Sequence, residues 1–296
     1  MRLTVLHTFA FSASCLFGCG VSLAPDGQTR TQSIERTAGG GNNCLKIVNG
    51  IVTKQIPGVV LLHSPASNRF CTGTFVGDNV VLTAAHCVTQ SSPASLQIFK
   101  GAKPIKVVHG PIPGEKIDIN APLNDIALLI FKDRTARNWK TISSSEPAKG
   151  DKIMVAGYGQ TDAIKDNDID FRLRYGHNEI DAVFKEAAAI VFTSKIERNG
   201  QANGEESMVG RGDSGGPIFK GSGIVAVNSI LSEGEINLTA YSFLLFSETA
   251  LSIMEEAESK GAHISGLNYI RKALGKPLKK EWPEEDKSEN AAVPPC

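Results

Sequence analysis

The sequence predicts an all-β protein, built as a barrel or a sandwich of short strands. Its apolar residues occur in short runs that are rich in β-branched side chains and mostly bounded by Gly, Asn, Asp or Pro: residues 59–62, 74–76, 80–82, 105–108, 126–131, 153–156, 190–192, 217–219 and 224–227. Many short strands separated by turn residues are typical of this class. The sequence shows no fixed repeat period.

The composition indicates a folded chain without an electrostatic preference for nucleic acid. The 296 residues include 31 Lys+Arg and 31 Asp+Glu, and 41% of them are hydrophobic. This apolar fraction can bury a sizeable core, which excludes disorder of the whole chain. Because no Lys- or Arg-rich run stands out, we expect no nucleic-acid partner.

The N-terminal segment predicts export. Residues 3–17 are mostly apolar and follow Arg2, but the run is shorter than the roughly 20 residues that span a bilayer. Residues 16–19, Leu-Phe-Gly-Cys, resemble the lipobox of bacterial lipoproteins, so we expect residues 1–19 to be a signal peptide and Cys19 to carry lipid. Cleavage after Ala24 is the alternative. The protein is then an exported bacterial lipoprotein of the cell envelope, on the periplasmic or outer-membrane face, or a secreted protein, and its only membrane contact is the lipid.

Two further segments differ from the strand-rich part. Residues 20–46 consist mainly of small and polar residues, which cannot bury enough apolar surface to offset their chain entropy, so they predict a flexible tether or propeptide. Near the other end, Ser247 precedes apolar residues at helical spacing up to Gly261, which predicts a capped amphipathic helix. Residues 273–296 are charged and contain Pro, and we expect a solvated tail.

Three short motifs combine a base, a carboxylate and a nucleophile. They are Thr-Ala-Ala-His-Cys at residues 83–87, Asn-Asp-Ile-Ala-Leu-Leu at 124–129 and Gly-Asp-Ser-Gly-Gly-Pro at 212–217. A serine hydroxyl is a weak nucleophile unless a base removes its proton, and an imidazole suits that task at neutral pH. Each motif alone has a plain structural alternative, such as a turn for the Gly-rich string or a cap for the aspartate.

Together and in this order, the motifs resemble those of the trypsin/chymotrypsin family of serine proteases. Residues 47–50, Ile-Val-Asn-Gly, resemble the family's mature N-terminus, and residues 155–161 resemble a segment in which Tyr158 replaces the usual Trp. The resemblance covers about residues 47–272. It implies two packed six-stranded antiparallel β-barrels with a C-terminal helix. It also implies a serine endopeptidase that acts on protein or peptide substrates without a cofactor or a metal.

The resemblance also implies the catalytic roles. Ser214 is expected to be the nucleophile and His86 the general base, and Asp125 is expected to fix the tautomer of His86 and stabilise its protonated form. The small residues around Ser214 let the amides of Gly212 and Ser214 point at a developing oxyanion.

Activation by cleavage is the next implication. In the family, the aspartate before the nucleophile, here Asp213, pairs with the free amine of the mature N-terminus. An activating protease would therefore cut the Lys46–Ile47 bond and create that amine on Ile47. The alternative is that Lys46 merely ends a polar linker.

The cysteines fit an oxidising compartment. Cys15 leaves with the signal peptide and Cys19 would carry lipid, which leaves an even set of four and allows two disulfides: Cys44, Cys71, Cys87 and Cys296. The resemblance implies a Cys71–Cys87 bridge. A Cys44–Cys296 bridge would hold the propeptide after activation; alternatively Cys296 is free or pairs between chains.

The substrate pocket departs from that of trypsin-like members. Met208 lies six residues before the nucleophile, where those members place Asp, so a preference for Lys or Arg is not expected. Aligning residues 223–228 on the pocket-wall strand puts Ala226 where Ser is usual, beside Asp125. The residues expected to line a narrowed pocket that accepts small or medium apolar P1 side chains are Met208, Val209, Ala226, Val227, Asn228 and Thr239.

An acidic loop resembles calcium-binding loops only in part. Asp166, Asp168 and Asp170 alternate, but Phe171 and His177 occupy the places of the required Gly and the last acidic ligand. We expect a solvated loop and no metal.

A lipid-anchored serine endopeptidase made as a zymogen is therefore the leading hypothesis. A catalytically impaired, protease-like binding module is the alternative, motivated by the altered pocket and by Ala226. An elastase-like secreted toxin differs from the leading hypothesis only in location.

Overall fold

The computed structural model describes most of the part of the chain that carries these motifs. The described residues are 47, 50–54, 56–64, 69–89, 97–98, 101–111, 123–160, 170–194, 206–233 and 238–280, and all of them belong to the compact unit Asn42–Cys296. The predicted signal peptide and tether and the end of the predicted tail lie outside the described residues.

The described secondary structure is almost entirely β. The strands are β1 (Ile51–Val52), β2 (Val59–Ser64), β3 (Arg69–Phe75), β4 (Val80–Thr83), β5 (Gln97–Ile98), β6 (Lys106–His109), β7 (Ala127–Ile130), β8 (Lys152–Gly157), β9 (Arg174–Glu179), β10 (Ala182–Phe184), β11 (Ala189–Ser194), β12 (Pro217–Lys220), β13 (Gly223–Glu233) and β14 (Leu238–Leu244). The helices are α1 (Ala85–Thr89), α2 (Glu248–Ser259) and α3 (Leu267–Ala273).

The strands form two antiparallel sheets. One has the order β5-β2-β3-β4-β7-β6, and the other has the order β1-β9-β8-β12-β13-β14-β11-β10. The predicted all-β architecture of two barrels with a C-terminal helix is confirmed. The second sheet has eight strands instead of six, since the short strands β1 and β10 extend its two edges.

Two fully buried strands of the first sheet bring two of the motifs together. Every residue of β4 and β7 is buried, in agreement with their continuous apolar sequences. The strands are antiparallel neighbours, and Thr83 at the end of β4 pairs with Ala127 at the start of β7. The residues that follow β4 and those that precede β7 therefore lie next to each other, at the same end of the two strands.

The predicted C-terminal helix is confirmed as α2. The Ser247 hydroxyl accepts a hydrogen bond from the Ala250 N–H at 3.2 Å, and the buried face of the helix contains Leu251 and Met254. Sequence reasoning missed the short helix α3. The residues that follow it are exposed, and two of their lysines form ion pairs with glutamates of α2, Lys276–Glu248 and Lys279–Glu255. Within the described ranges, no helix is long and apolar enough to cross a membrane.

Candidate active site

His86 and Asp125 are in contact at the end of the β4–β7 strand pair. His86 Nδ1 lies 2.7 Å from Asp125 Oδ2, and the His86 backbone N–H donates to Asp125 Oδ1 at 3.0 Å. The carboxylate is fully buried, whereas the His86 side chain keeps 30% of its surface exposed. One ring nitrogen of His86 is thus occupied by Asp125 while the side chain reaches the surface.

The surroundings of Asp125 keep it ionised. Burial raises the pKa of this carboxyl, but hydrogen bonds from His86 and Ser229 together with the charge of His86 outweigh burial, and the pKa lies below its usual value. A negative charge held beside an imidazole stabilises its protonated form. This geometry suits a base that must carry a proton transiently.

Ser229 corrects the predicted alignment of the pocket-wall strand. Its hydroxyl donates a hydrogen bond to Asp125 Oδ2, so the prediction that Ala226 lies beside Asp125 is wrong. Ala226 is fully buried inside the sheet, where it pairs with Ile218 and Leu244.

An irregularity in β13 accounts for the direction of the Ser229 side chain. The register with β14 changes between Asn228 and Ile230, so Ser229 occupies a β-bulge, and a bulge can turn a side chain toward a neighbouring site. The positions expected for Ala226, Val227 and Asn228 therefore fall on Ser229, Ile230 and Leu231. Sequence reasoning missed Ser229, although a Ser-Ile-Leu run later in the same strand was the available signal.

The segment of Ser214, the predicted nucleophile, packs directly against the His86 motif. The Ser214 carbonyl accepts from the Thr72 N–H at 2.8 Å and lies 3.7 Å from Cys87 Sγ. Gly215 has a φ of +79°, and a Cβ there would lie only 2.0 Å from Thr83 Oγ1. Only glycine allows this approach without displacing Thr83, which explains its place after Ser214.

The groups around Ser214 are not all joined by hydrogen bonds. Across the described residues, no hydrogen bond links Ser214 Oγ to His86. No described group accepts a hydrogen bond from the backbone N–H of Gly212 or Ser214. Catalytic hydrogen bonds are often long without substrate and tighten in the substrate complex. The two N–H groups remain available to a ligand oxygen.

Asp213 is a second buried carboxylate. It is fully buried, and it accepts from the Gly159 N–H at 2.7 Å and from the Gly210 N–H at 2.8 Å. Burial raises its pKa to about 7, although both hydrogen bonds and the charge of Arg174 act in the opposite direction. No cation in the described ranges forms an ion pair with Asp213.

Ile47, the predicted new N-terminus, is also fully buried. It lies against the second sheet, because a Cβ built on Gly176 of β9 would meet the Ile47 side chain at 3.4 Å. Lys46, the residue before the predicted cleavage site, lies outside the described residues.

The predicted disulfide between Cys71 and Cys87 is confirmed, and it joins β3 to α1 directly after His86. One ring nitrogen of His86 and the two sulfurs lie within 4.8 Å of one another. A disulfide offers no thiolate to a metal, so this grouping does not form a metal site. Cys19, Cys44 and Cys296 lie outside the described residues.

The remaining predicted residues are placed as follows. Met208 and Val209 are buried, and Thr239 is half-buried and pairs with Thr193 and Ser232. Asp166 and Asp168 of the acidic loop lie outside the described residues. The third member, Asp170, binds the buried guanidinium of Arg174 through both carboxylate oxygens at 3.1 Å.

Comparison with known proteins identifies the class. The model of the trypsin family matches residues 47–244. Trypsin beta of Drosophila erecta is 31% identical over 205 residues, which cover 62% of this chain and 78% of that protein. Complement factor I of Mus musculus is 29% identical over 170 residues, 50% of this chain and 27% of that protein.

A solved structure shows the same fold. Neuropsin, a serine protease expressed in the limbic system of mouse brain, superposes with a TM-score of 0.50 at 18% identity, covering 69% of this chain and 94% of that chain. The fold is thus that of the chymotrypsin-like serine proteases. The chain belongs to the trypsin family, and it is a serine endopeptidase.

Proposed function

We propose that the chain hydrolyses peptide bonds with His86, Asp125 and Ser214 as its catalytic triad. The observation that carries this proposal is the 2.7 Å contact between His86 Nδ1 and the buried, ionised Asp125, beside the main chain of Ser214. No cofactor is needed for this chemistry.

In the proposed mechanism, Ser214 Oγ attacks the scissile carbonyl while His86 Nε2 takes the hydroxyl proton. The N–H groups of Gly212 and Ser214 stabilise the oxyanion, each worth roughly 3–4 kcal/mol in such sites. His86 then gives the proton to the leaving amine, which leaves an acyl-enzyme on Ser214. Water, activated by the same imidazole, releases the acid and restores the serine.

An active-site probe tests the nucleophile. A fluorophosphonate should label the cleaved, active protein on Ser214, and Ser214→Ala should abolish both labelling and peptidase activity while the protein stays folded. Ser252→Ala, which changes an exposed serine of α2, is the matched control and should label normally. A Ser214→Ala protein that cleaves peptides at the parental rate would refute the assignment.

The alternative, an impaired protease-like binding module, loses one of its arguments. It was motivated in part by Ala226 beside Asp125, yet a serine hydroxyl, that of Ser229, occupies this place. A folded protein that resists the probe after cleavage would nevertheless favour the binding module.

We propose that cleavage of the Lys46–Ile47 bond by another protease activates the enzyme. The fully buried Asp213 accepts two backbone hydrogen bonds and has a raised pKa, so a new amine on Ile47 would provide the missing positive charge. The conformation of Ile47 adds support, because its φ of 41° is unfavourable for a β-branched residue. Cleavage of the preceding peptide bond would remove this constraint.

We propose a preference for small or medium apolar P1 residues. The corrected alignment replaces Ala226, Val227 and Asn228 by the half-buried residues Ser229, Ile230 and Leu231, and it puts no acidic side chain in the pocket wall. The complete proposed set is Met208, Val209, Ser229, Ile230, Leu231 and Thr239. A peptide library that shows cleavage mainly after Lys or Arg would refute this preference.

We further propose that residues 1–19 direct export, that Cys19 carries lipid, and that residues 20–46 tether the protease domain at 47–272, with a tail at 273–296. The sequence patterns described above support this arrangement, in which a Cys44–Cys296 bridge would keep the activated enzyme on the membrane. Radiolabelled fatty acid should be incorporated into the parental protein and not into Cys19→Ser. Mild reduction should then release the cleaved domain from membranes.

A further inference from the structure

A cavity of about 530 Å³ lies away from the proposed triad. It is formed by the segment that runs from Asn138 to Ser145, by the turn between β12 and β13, and by Tyr269 of α3. Strand β12 separates it from the nucleophile, since Ser214 precedes one end of this strand and Lys220 ends the other. Binding at this cavity would therefore not depend on the proposed triad.

The lining of the cavity is positively charged. Among the described residues that line it, two are lysines, Lys140 and Lys220, and none is Asp or Glu. Lys220 is compensated, because its ammonium lies 2.7 Å from Asp151 Oδ2 and donates to the Glu146 carbonyl at 2.8 Å. Lys140 is 8% exposed, and its ammonium has neither an ion pair nor a hydrogen bond to any part of the chain that the structure describes.

An ammonium in this position is unfavourable unless something binds it. Burial disfavours the charged form and lowers the pKa of Lys140. A ligand with the opposite charge would offset this loss of hydration.

The cavity also offers neutral hydrogen-bond donors. Ser143 Oγ is committed to the Ser145 carbonyl at 3.0 Å, but the side chains of Asn138, Ser144 and Ser222 have no partner among the described residues. Hydroxyl and amide N–H groups beside an ammonium are the donors that a charged oxygen atom accepts from.

We propose that this cavity is a binding site for an oxyanion group, a sulfate, a phosphate or a carboxylate, which Lys140 holds by charge and the neighbouring hydroxyl and amide groups by hydrogen bonds. The site is an exosite on the protease domain, separated from the substrate cleft.

Titration of the full-length chain with inorganic phosphate and with sulfate tests the proposal. Trp139 lines the cavity, and a Trp282→Phe background leaves it as the only tryptophan, so its fluorescence reports occupancy. At constant ionic strength we expect a saturable change with at least one anion. Acetate, as a third arm, distinguishes a carboxylate ligand from the tetrahedral anions.

Lys140→Met should weaken binding by at least about tenfold, as expected when a charge partner in a buried site is removed. The same variant should melt at a higher temperature than the parent in chloride alone, since it removes a partly desolvated ammonium that has no ion-pair partner among the described residues. Lys140→Gln removes the charge while keeping a polar head, and it serves if Lys140→Met does not fold. Lys152→Met, at an exposed lysine paired with Glu179, is the control and should bind like the parent.

A general salt effect would contradict the proposal. Sulfate and phosphate stabilise many proteins by exclusion from their surfaces, but that effect does not saturate and would be equal in all variants. Saturable binding that Lys140→Met and Lys140→Gln leave unchanged, or the absence of saturation with every anion, would overturn the site.

Discussion

Asp125 and Asp213 are both fully buried carboxylates, but they have opposite electrostatic surroundings. Asp125 has an imidazole 2.7 Å away and a pKa below its usual value, whereas the pKa of Asp213 is raised to about 7 by burial. Both accept hydrogen bonds, so hydrogen bonding does not separate them. The Asp125 region is complete in the sense that its imidazole partner is in place, whereas the Asp213 region is incomplete: among the described residues no cation pairs with Asp213, and the proposed cleavage before Ile47 would create one.

The largest effect should come from breaking the complete region. In Asp125→Asn the amide can no longer hold His86 in the required tautomer, and we expect kcat to fall by about 10⁴-fold, the size that this substitution has in related triads. Single-turnover kinetics on the cleaved protein measure it. Asp133→Asn changes an exposed carboxylate and should leave kcat unchanged. A loss below tenfold would show that Asp125 does not orient the base.

The incomplete region should respond only after cleavage. Losing one partner of a buried ion pair costs about 3–5 kcal/mol, so Asp213→Asn should reduce the activity of the cleaved enzyme by a factor on the order of 10²–10³. Activity is measured before and after limited proteolysis, with N-terminal sequencing to confirm Ile47. Lys46→Gln is the control that should stay inactive because it is not cut. Equal activity of cleaved parent and Asp213→Asn would disprove the ion pair.

The free energy of unfolding should change with pH in opposite directions for the two carboxylates. The folded pKa of Asp213, about 7, lies above the ordinary 3.8, so the folded state binds its proton more tightly and the uncleaved chain should lose stability as pH rises from 3.8 to about 7. One pKa unit corresponds to about 1.4 kcal/mol, so the loss is a few kcal/mol. Asp125, with its lowered pKa, contributes stability above the ordinary carboxyl pKa and loses it as pH falls.

Urea unfolding of the uncleaved chain in a Ser214→Ala background measures this loss across the pH range. The difference between that protein and its Asp213→Asn derivative isolates Asp213, because every other carboxylate is common to both. The derivative should lack the decline between pH 3.8 and 7. If both proteins decline equally, Asp213 is not the group responsible.

The comparison also shows what the sequence could and could not predict. The apolar runs of β4 and β7 predict strands, and the motifs at their ends place His86 and Asp125. Ser229 escaped prediction because the alignment began three residues too early in the strand, and because the alternation of side chains does not reveal the bulge at which Ser229 faces Asp125. The environment of Lys140 was not foreseeable either, since segments distant in the sequence form that cavity.

Ser229 offers a smaller test of the complete region. Its hydroxyl donates to Asp125, and hydrogen bonds to charged groups contribute about 1.5–3 kcal/mol. At this half-buried position, a water molecule can replace part of the lost hydrogen bond in the variant. We therefore expect Ser229→Ala to lower kcat about tenfold and KM little. Ser232→Ala, an exposed serine of the same strand, is the control. An unchanged kcat would show that His86 alone keeps Asp125 in place.

The smallest effect concerns the charge of Arg174 and its influence on the pKa of Asp213 before cleavage. Arg174 is fully buried, binds Asp170 through both carboxylate oxygens, and lowers the pKa of Asp213 through its charge. In Arg174→Met that influence disappears, so the pKa of Asp213 should rise and the decline in stability should move to higher pH. The midpoint of the decline is the readout, because the loss of the ion pair with Asp170 lowers stability at every pH where Asp170 is charged.

Arg172→Met supplies the matched control for this last prediction. Arg172 also contacts Asp170, at 3.3 Å, but its side chain is 57% exposed, so water screens its charge and Asp213 should not respond to its removal. A midpoint that moves equally in both variants would assign the shift to Asp170 and not to Arg174. A shift confined to Arg174→Met would show that a buried guanidinium partly compensates Asp213 in the precursor, and that the amine of Ile47 completes this compensation on cleavage.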